Sequence, residues 1–196
     1  FVKGADWFSS AGTENSKGYK LLSVSGDVER PGVYEFPMGT SIATVLDAAG
    51  ATNTKAAMVG GGSGILVPTS EFDRKISFED LSTGGSIIAF DNGRDLLNVV
   101  ENIQEFFADE SCGQCTICRM GNLKILEGIR MLQAGTCTTK HLNALCDLGE
   151  NMRAASKCGL GQASPNLFLS VLKHFRGEVM GRVEHHRRVS ERRVAS

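Results

Sequence analysis

The sequence predicts an α+β protein in which a β-grasp-like domain, residues 19–91, precedes an all-α four-helix-bundle domain, residues 92–180. Three observations lead to this prediction. Apolar residues come in short strand-like runs as far as Phe90, whereas after Gly93 they recur with the 3.6-residue period of helices. A run of cysteines directly before the second predicted helix indicates a metal site in the helical domain.

The β-grasp-like prediction depends on a strand pair, a helix and further strands in that order. The helix spans residues 41–50, with Thr40 or Ser41 as its cap and Gly50 as its end. The predicted strands are residues 20–24, 33–36, 57–59, 65–67 and 86–90. Residues 1–18 are rich in small and polar residues and are predicted to be a connector, in which Asp6, Trp7 and Phe8 could dock.

Four apolar faces with short links between them predict the helical bundle. Their members are Leu96, Val99, Val100, Ile103, Phe106 and Phe107; Met120, Leu123, Leu126, Ile129 and Leu132; residues 142–152; and Leu167, Phe168, Val171, Leu172 and Phe175. From Gly181 the pattern ends, and residues 181–196 form a predicted basic tail with Arg182, Arg187, Arg188, Arg192 and Arg193.

The most informative motif is C-x2-C-x2-C, formed by Cys112, Cys115 and Cys118. Three thiols at this spacing do not make two zinc-binding CxxC pairs, but they can each bind a different iron of one [4Fe–4S] cube. The cube needs a fourth thiolate. The bacterial ferredoxin pattern would place it at Asn122 and follow it with proline. Neither residue is present, so the fourth ligand is expected farther along the chain.

Three cysteines could supply that ligand. Cys146 lies on a helical stripe with Leu142, Leu145, Gly149 and Met152, and we interpret it as a core thiol. Cys137 lies in a helix connection and could reach a metal. Cys158 precedes Gly159-Leu160-Gly161, a loop whose backbone N–H groups are free to bond cluster sulfurs, and local sequence favours it over Cys137.

A family resemblance supports the same choice. The segment Glu-Ser-Cys-Gly-x-Cys-x-x-Cys-Arg-x-Gly, residues 110–121, followed by Cys158-Gly-Leu-Gly, resembles the NADH-binding flavoprotein family. This family includes the 51-kDa subunit of respiratory complex I, the diaphorase subunit of soluble NAD-reducing hydrogenases and the β subunit of NAD-dependent formate dehydrogenases. The resemblance runs from Gly4 to about Arg176, and residues 21–35 are more similar to the hydrogenase and formate dehydrogenase branch than to complex I.

The resemblance implies a soluble-ligand-binding (SLBB) β-grasp domain and a [4Fe–4S] cluster held by Cys112, Cys115, Cys118 and Cys158, which takes electrons from flavin. Gly113 and Gly159 would let backbone amides approach that cluster. The implied function is electron relay between FMN and partner Fe–S subunits in an NAD(P)-linked hydrogenase or formate dehydrogenase. The implied partners are a flavin domain or subunit, a thioredoxin-like [2Fe–2S] subunit, a further Fe–S subunit and the hydrogenase or formate dehydrogenase catalytic subunit.

The family's flavin-domain motifs are not found in this sequence. They are a Gly-Arg-Gly-Gly-x-Gly-Phe loop, a Glu-Pro-Gly-x-x-Lys-Asp-Arg stretch and a Gly-Ala-Gly-x-Tyr-x-Cys-Gly segment. FMN and NAD(P)H binding therefore cannot be assigned to any residue here, and we expect the chain alone to bind no FMN and to be inactive. Since the chain begins at Phe1, it is expected to be a fragment, a partly observed subunit or a partner of a separate flavin polypeptide.

Composition limits the other classes of function. The net charge of −1 argues against nucleic-acid binding, and no apolar run approaches the ~18 residues of a membrane span, so membrane contact is expected only through partners. Six cysteines with this motif fit a reducing compartment, which predicts a cytoplasmic protein. The alternatives are a complex I NADH-dehydrogenase module subunit, a non-redox β-grasp adaptor with a structural four-cysteine zinc site, and a regulatory Fe–S sensor.

Three smaller features leave alternatives open. Arg119 could tune the cluster by its charge or be a solvated helix residue. Ser111 and Thr116 could donate to sulfur or cap helices, and we favour capping. The glycine-rich residues 59–64 lack the lysine and hydroxyl of a Walker A loop, so a turn of the β-grasp domain is the preferred interpretation.

Overall fold

The computed structural model describes residues 2–183. The chain divides into two compact units, the first ending at Arg94 and the second beginning at Asp95. The predicted α+β fold class is confirmed, because the first unit is built on a mixed β-sheet and the second consists of helices. Among the helices that the structure describes, none combines the length and apolar character that crossing a membrane requires.

The first unit contains a five-stranded sheet in the order β2-β1-β5-β3-β4. Its elements are α1 (Gly4–Ser9), β1 (Tyr19–Gly26), β2 (Gly32–Pro37), α2 (Ile42–Ala48), β3 (Thr54–Val59), β4 (Ile65–Pro68) and β5 (Ser86–Asp91). The first and last strands, β1 and β5, pair in parallel, whereas the other three pairs are antiparallel. Parallel pairing of the terminal strands is the arrangement expected of a β-grasp-like unit.

The core of the first unit lies between the sheet and α2. Along β1, Leu22 and Val24 are buried while Leu21 faces solvent, as the two-residue period of a strand requires. The hydroxyl of Ser41 caps α2 by accepting a hydrogen bond from the Thr44 N–H at 3.2 Å. The remaining core side chains come from α2 and the central strands and include Ile42, Val45, Leu46, Val67, Ile87 and Ala89.

Two segments of the first unit bear on the sequence predictions. The glycine-rich segment joins β3 to β4, since Val59 pairs with Ile65, so it is the hairpin turn that we preferred. The described part of the predicted connector, residues 2–18, is more ordered than expected, because it contains α1 and a loop in which Ser16 is fully buried. The Ser16 hydroxyl donates to Glu79 and accepts from the Phe78 N–H at 2.8 Å, which fastens this loop to the unit.

Within the described residues, the second unit contains five named helices, the four long ones that were predicted and one short one. They are α3 (Leu96–Asp109), α4 (Thr116–Gln133), α5 (Thr139–Ala155), α6 (Gly159–Ala163) and α7 (Asn166–His174). Helices α4 and α5 approach closely, because a Cβ on Gly128 would lie 2.1 Å from Leu145 Cδ1. Helical backbone continues through residues 176–183, and Arg182 bonds Asp95 at 2.6 Å. Arg182 therefore belongs to the folded unit, whereas the rest of the predicted tail, residues 184–196, lies outside the described residues.

The predicted apolar face of α4 was partly wrong. Met120 and Leu123 are 44% and 49% exposed, whereas Leu126, Ile129 and Leu132 are buried. Each residue of a helix advances about 100° around the axis, so residues chosen at every third position move gradually off one face. Met120 therefore lies about 120° around the axis from the buried Leu132. For the same reason the buried face of α3 includes Gln104 and excludes Phe106, which is 53% exposed.

Candidate iron–sulfur site

The three cysteines of the motif lie where α3 passes into α4. Cys112 is exposed in the connecting loop. Cys115, half-buried, is the N-cap residue of α4, and Cys118 follows in the first turn of that helix. Cys118 is only 6% exposed, so the motif runs from the surface of the helical unit into its core.

The loop is held by its own backbone and by Arg119. Gly113 has φ +80°, in the left-handed region, so the loop turns sharply between the first two cysteines. The Arg119 guanidinium donates to the Gly113 carbonyl, and the Arg119 N–H donates to the Cys115 carbonyl at 3.0 Å. Arg119 therefore has a structural role, because its side chain holds the loop that carries Cys112 and Cys115.

The segment that carries Cys158 packs against Cys118. Cys158 is exposed and is the N-cap residue of α6, and Gly161 lies one turn along that helix. A Cβ on Gly161 would lie 3.1 Å from Cys118 Cβ and 2.6 Å from Ser156 Oγ. Gly161 thus packs closely against the third cysteine of the motif, although the two residues are far apart in sequence.

The two remaining cysteines lie elsewhere in the helical unit. Cys137 is buried beyond the far end of α4, about 20 Å from Cys118 along the helix axis. Burial raises the pKa of the Cys137 thiol, which disfavours the thiolate that binds metal. Cys146 is half-buried at the edge of the α5 stripe, so it is less enclosed than the core thiol we expected. Burial likewise raises the pKa of the Cys146 thiol.

Two functional candidates were missed in the sequence. Asn122 and Gln104 are buried, and their amides form a hydrogen-bonded pair between α4 and α3. The Asn122 Nδ2 also donates to Cys118 Sγ at 3.4 Å. The available signal was a polar residue four positions after Cys118, which places both on one helix face. In the sequence alone, Asn122 is notable only as the position where a ferredoxin would carry cysteine.

The preferred capping role of Ser111 and Thr116 is not observed. Cys115 occupies the N-cap position of α4, and Thr116 is the first helical residue. The Ser111 hydroxyl accepts from the Gly113 N–H at 3.4 Å and lies 3.4 Å from Cys118 Sγ. Ser111 therefore takes the other role considered, as a hydrogen-bond partner of sulfur.

Three of the predicted ligands lie in the loop before α4 and in its first turn, and the fourth, Cys158, precedes the helix that packs against Cys118. Within residues 2–183, no three His, Cys, Asp or Glu side chains are grouped so that they could hold one metal ion. A single ion such as zinc needs such a group, because all of its ligands meet at one atom. Thiolates on a four-iron cube bind different irons and lie farther apart.

The surroundings of Cys118 fit a sulfur-rich group. The Ser156 hydroxyl is buried and has no hydrogen-bond partner within the described chain. An unpaired buried hydroxyl is costly, and a cluster sulfide or thiolate would accept its hydrogen bond. Together with Ser111 and Asn122, it makes three side-chain donors on the wall around Cys118. Gly159 is the first residue of α6, and no atom of the described chain lies within 4 Å of where its Cβ would be, so contacts within the chain do not require a glycine there.

Comparison with known families assigns both units. Residues 98–182 match the NADH-ubiquinone oxidoreductase-F iron-sulfur binding region, and residues 21–67 match the SLBB domain. The chain is homologous to NADH-binding flavoprotein subunits. The family model that matches the helical unit of this chain indicates a [4Fe–4S] cluster, as the cysteine motif predicted.

Individual relatives come from two kinds of complex. The NAD-reducing hydrogenase HoxS subunit alpha of Cupriavidus necator is 40% identical over 174 residues, covering 88% of this chain and 29% of that protein. A subunit of the NADH-quinone oxidoreductase of Mycobacterium bovis is 34% identical over 191 residues, covering 92% of this chain and 43% of that protein. The chain therefore spans less than half the length of these relatives.

The fold is shared with a solved structure. A crystal structure of NAD+-reducing [NiFe]-hydrogenase in the H2-reduced state matches with a TM-score of 0.89 and 38% identity. The match covers 93% of this chain and 32% of the hydrogenase chain. Both units of this chain therefore have counterparts in the longer hydrogenase chain.

Proposed function

We propose that this chain is the electron-relay portion of an NAD(P)-linked oxidoreductase, in which Cys112, Cys115, Cys118 and Cys158 hold one [4Fe–4S] cluster. One observation carries the choice of ligands. The segment containing Cys158 contacts Cys118 through Gly161, whereas Cys137 lies beyond the opposite end of α4. The match to an iron-sulfur binding region over residues 98–182 supports the same assignment.

The bound cluster supplies one-electron transfer, which complements a flavin that accepts two electrons from NAD(P)H as hydride. The residues of this chain do the holding and tuning. The Arg119 contact with Gly113 fixes the loop that presents Cys112 and Cys115. In this proposal, Cys158 reaches the cluster from the start of α6, whose Gly161 packs against Cys118, and the hydroxyls and amide around Cys118 supply hydrogen-bond donors.

The complex we propose is a cytoplasmic NAD-linked hydrogenase or formate dehydrogenase. In it, FMN and NAD(P)H are bound by a flavin domain or subunit, and electrons pass to a thioredoxin-like [2Fe–2S] subunit and a further Fe–S subunit. The hydrogenase or formate dehydrogenase catalytic subunit completes the chain of transfer. The 40% identity to a hydrogenase subunit and the similarity of residues 21–35 to that branch support this proposal.

A complex I module is the second candidate, because 34% identity over 92% of the chain links it to a subunit of an NADH-quinone oxidoreductase. The partner subunits distinguish the two. A hydrogenase or formate dehydrogenase catalytic subunit that co-purifies under gentle, anaerobic conditions supports the first proposal. Membrane subunits and quinone reduction support the second.

Rapid-freeze EPR of the purified complex after addition of NADH tests the relay itself. We expect one cluster signal to appear first and a second cluster signal from a partner subunit to follow. In this chain alone, after reconstitution, iron and acid-labile sulfide should each amount to about four per chain for the [4Fe–4S] cluster. A colourless protein that contains zinc and no sulfide, or a stable monomer without flavin or Fe–S partners, would contradict the proposal.

A further inference from the structure

Two amide side chains are buried in the core of the helical unit, where apolar residues are the norm. Gln104 on α3 is 1% exposed and Asn122 on α4 is 0% exposed. Burying an amide costs free energy unless its donors and acceptors are paired. A leucine or methionine at either position would fill a helix interface without that cost, so the pair calls for a reason beyond packing.

The hydrogen bonds of the pair fix the orientation of both amides. Gln104 Nε2 donates to Asn122 Oδ1 at 2.8 Å and faces the Asn122 backbone carbonyl at 3.5 Å. Asn122 Nδ2 donates to the Phe107 carbonyl at 3.4 Å and to Cys118 Sγ at 3.4 Å. Since both carbonyls can only accept, turning either amide over would set acceptor against acceptor. Asn122 therefore presents an N–H, and not an oxygen, to the sulfur.

A second donor reaches the same sulfur from the loop. Ser111 Oγ accepts the Gly113 N–H at 3.4 Å, which leaves its own hydrogen free to point elsewhere. Cys118 Sγ lies 3.4 Å from that oxygen. A thiolate sulfur can accept a hydrogen bond but cannot donate one. The Ser111 hydroxyl is therefore the donor when Cys118 binds metal as a thiolate.

We infer that Asn122, oriented by Gln104, and Ser111 are positioning residues that raise the reduction potential of the cluster through hydrogen bonds to the Cys118 sulfur. This inference rests on the proposed function. Taking one electron from the reduced flavin adds one negative charge to the cluster and its thiolates, with no proton placed on Cys118. Donors aimed at the sulfur stabilise the more negative state, and hydrogen bonds to the sulfurs are a known determinant of cluster potential.

The test compares the full 196-residue chain with single variants after anaerobic reconstitution with iron and sulfide. Asn122→Leu removes the amide donor at nearly constant volume, Gln104→Met removes the residue that orients it, and Ser111→Ala removes the hydroxyl. Ser170→Ala is the matched control, because that buried hydroxyl donates to the Leu167 carbonyl on α7. Iron and sulfide content are measured first, and the potential is then measured by EPR-monitored potentiometry.

We expect Asn122→Leu and Ser111→Ala each to lower the ratio of reduced to oxidised cluster three- to tenfold at a fixed potential. A tenfold change equals a shift of about 59 mV to more negative potential for one electron. Gln104→Met should shift the ratio in the same direction by less, and Ser170→Ala should leave it unchanged.

The outcomes separate this inference from the proposed function. A wild-type chain that assembles no iron and sulfide contradicts both. A wild-type chain with a full cluster, together with unshifted potentials in Asn122→Leu and Ser111→Ala, overturns the inference alone. If Asn122→Leu fails to assemble a cluster, Ser111→Ala and Gln104→Met decide. A negative shift in both supports the inference, and a shift in only one or in neither contradicts it.

Discussion

The two units of this chain bury polar side chains for different ends. In the sheet unit, the buried hydroxyls tie loops together: Ser16 joins Glu79 and the Phe78 N–H, and Thr83 accepts from the Gly85 N–H at 3.0 Å. In the helical unit, the buried amide of Asn122 and the hydroxyl of Ser111 point at a cysteine sulfur. Buried hydroxyls of the helical unit away from Cys118 also bond backbone, as Ser170 does with the Leu167 carbonyl, so the difference lies in the polar side chains around Cys118.

This difference indicates what a substitution in each unit should change. Removing a polar side chain that only holds loops of the protein together should lower the free energy of unfolding. Residues that face a cofactor also affect its assembly or its electronic properties. The contrast predicts three effects of decreasing size.

The largest effect is expected at Gly161, where the Cys158 segment meets Cys118. A side chain there would collide with Ser156 and crowd Cys118 Cβ, so Gly161→Val should displace the segment and abolish cluster assembly. Gly177→Ala is the matched control, because nothing lies within 4 Å of the added methyl group and the residue adjoins no proposed ligand in the sequence. Iron and sulfide analysis after reconstitution measures the result. Full iron content in Gly161→Val, or loss in Gly177→Ala, would contradict the described contact.

A smaller effect is expected from substitutions in the buried face of α4, which should change the free energy of unfolding and should leave the cysteines in place. Leu126 is buried and Leu123 is 49% exposed on the same helix. Leu126→Ala should lower the free energy of unfolding by about 2–4 kcal/mol because it leaves a cavity. Leu123→Ala should change it by less than about 0.5 kcal/mol. Urea denaturation monitored by circular dichroism measures both values, and equal costs would show that the described burial of α4 is incorrect.

The smallest effect is expected in the sheet unit at acid pH. The hydrogen bond from Arg94 lowers the pKa of Asp27 below its ordinary value of 3.8. Because the folded state binds the proton more weakly, this stabilisation is present above pH 4 and is lost as the pH falls through the folded pKa. Asp27→Asn should therefore be less stable than wild type at pH 7, and this difference should shrink as the pH falls through the folded-state pKa of Asp27.

The control for the acid effect is Glu35→Gln, which removes an exposed carboxylate on β2. Denaturation midpoints at pH 7 and at low pH are compared for all three proteins. A difference between Asp27→Asn and wild type that persists unchanged at low pH would contradict the ion pair as its cause.

Local patterns in the sequence predicted most of the fold. The alternation of buried and exposed side chains in β1 and the Ser41 cap of α2 depend on residues that are close in sequence. Both predictions agree with the structure. The face of α4 was predicted less well. Counting every third residue selected Met120 and Leu123, although burial depends on the neighbouring helices and on the 3.6-residue period.

The candidate site shows the same limit. The cysteine motif alone predicted an iron–sulfur site, because its spacing is local. The approach of residues 156–161 to Cys118 and the pairing of Gln104 with Asn122 are contacts between distant segments. No local pattern encodes them, since an asparagine on a helix is ordinarily a surface residue. They become visible only when the helices are placed side by side.

The ligand set can be tested most directly by the cluster EPR signal of cysteine variants. Cys158→Ser is compared with Cys137→Ser and Cys146→Ser after anaerobic reconstitution and reduction with dithionite. We predict that Cys158→Ser loses or alters the [4Fe–4S] signal, whereas the other two variants retain the wild-type spectrum. A wild-type spectrum from Cys158→Ser, together with loss of the signal in Cys137→Ser, would contradict the assignment.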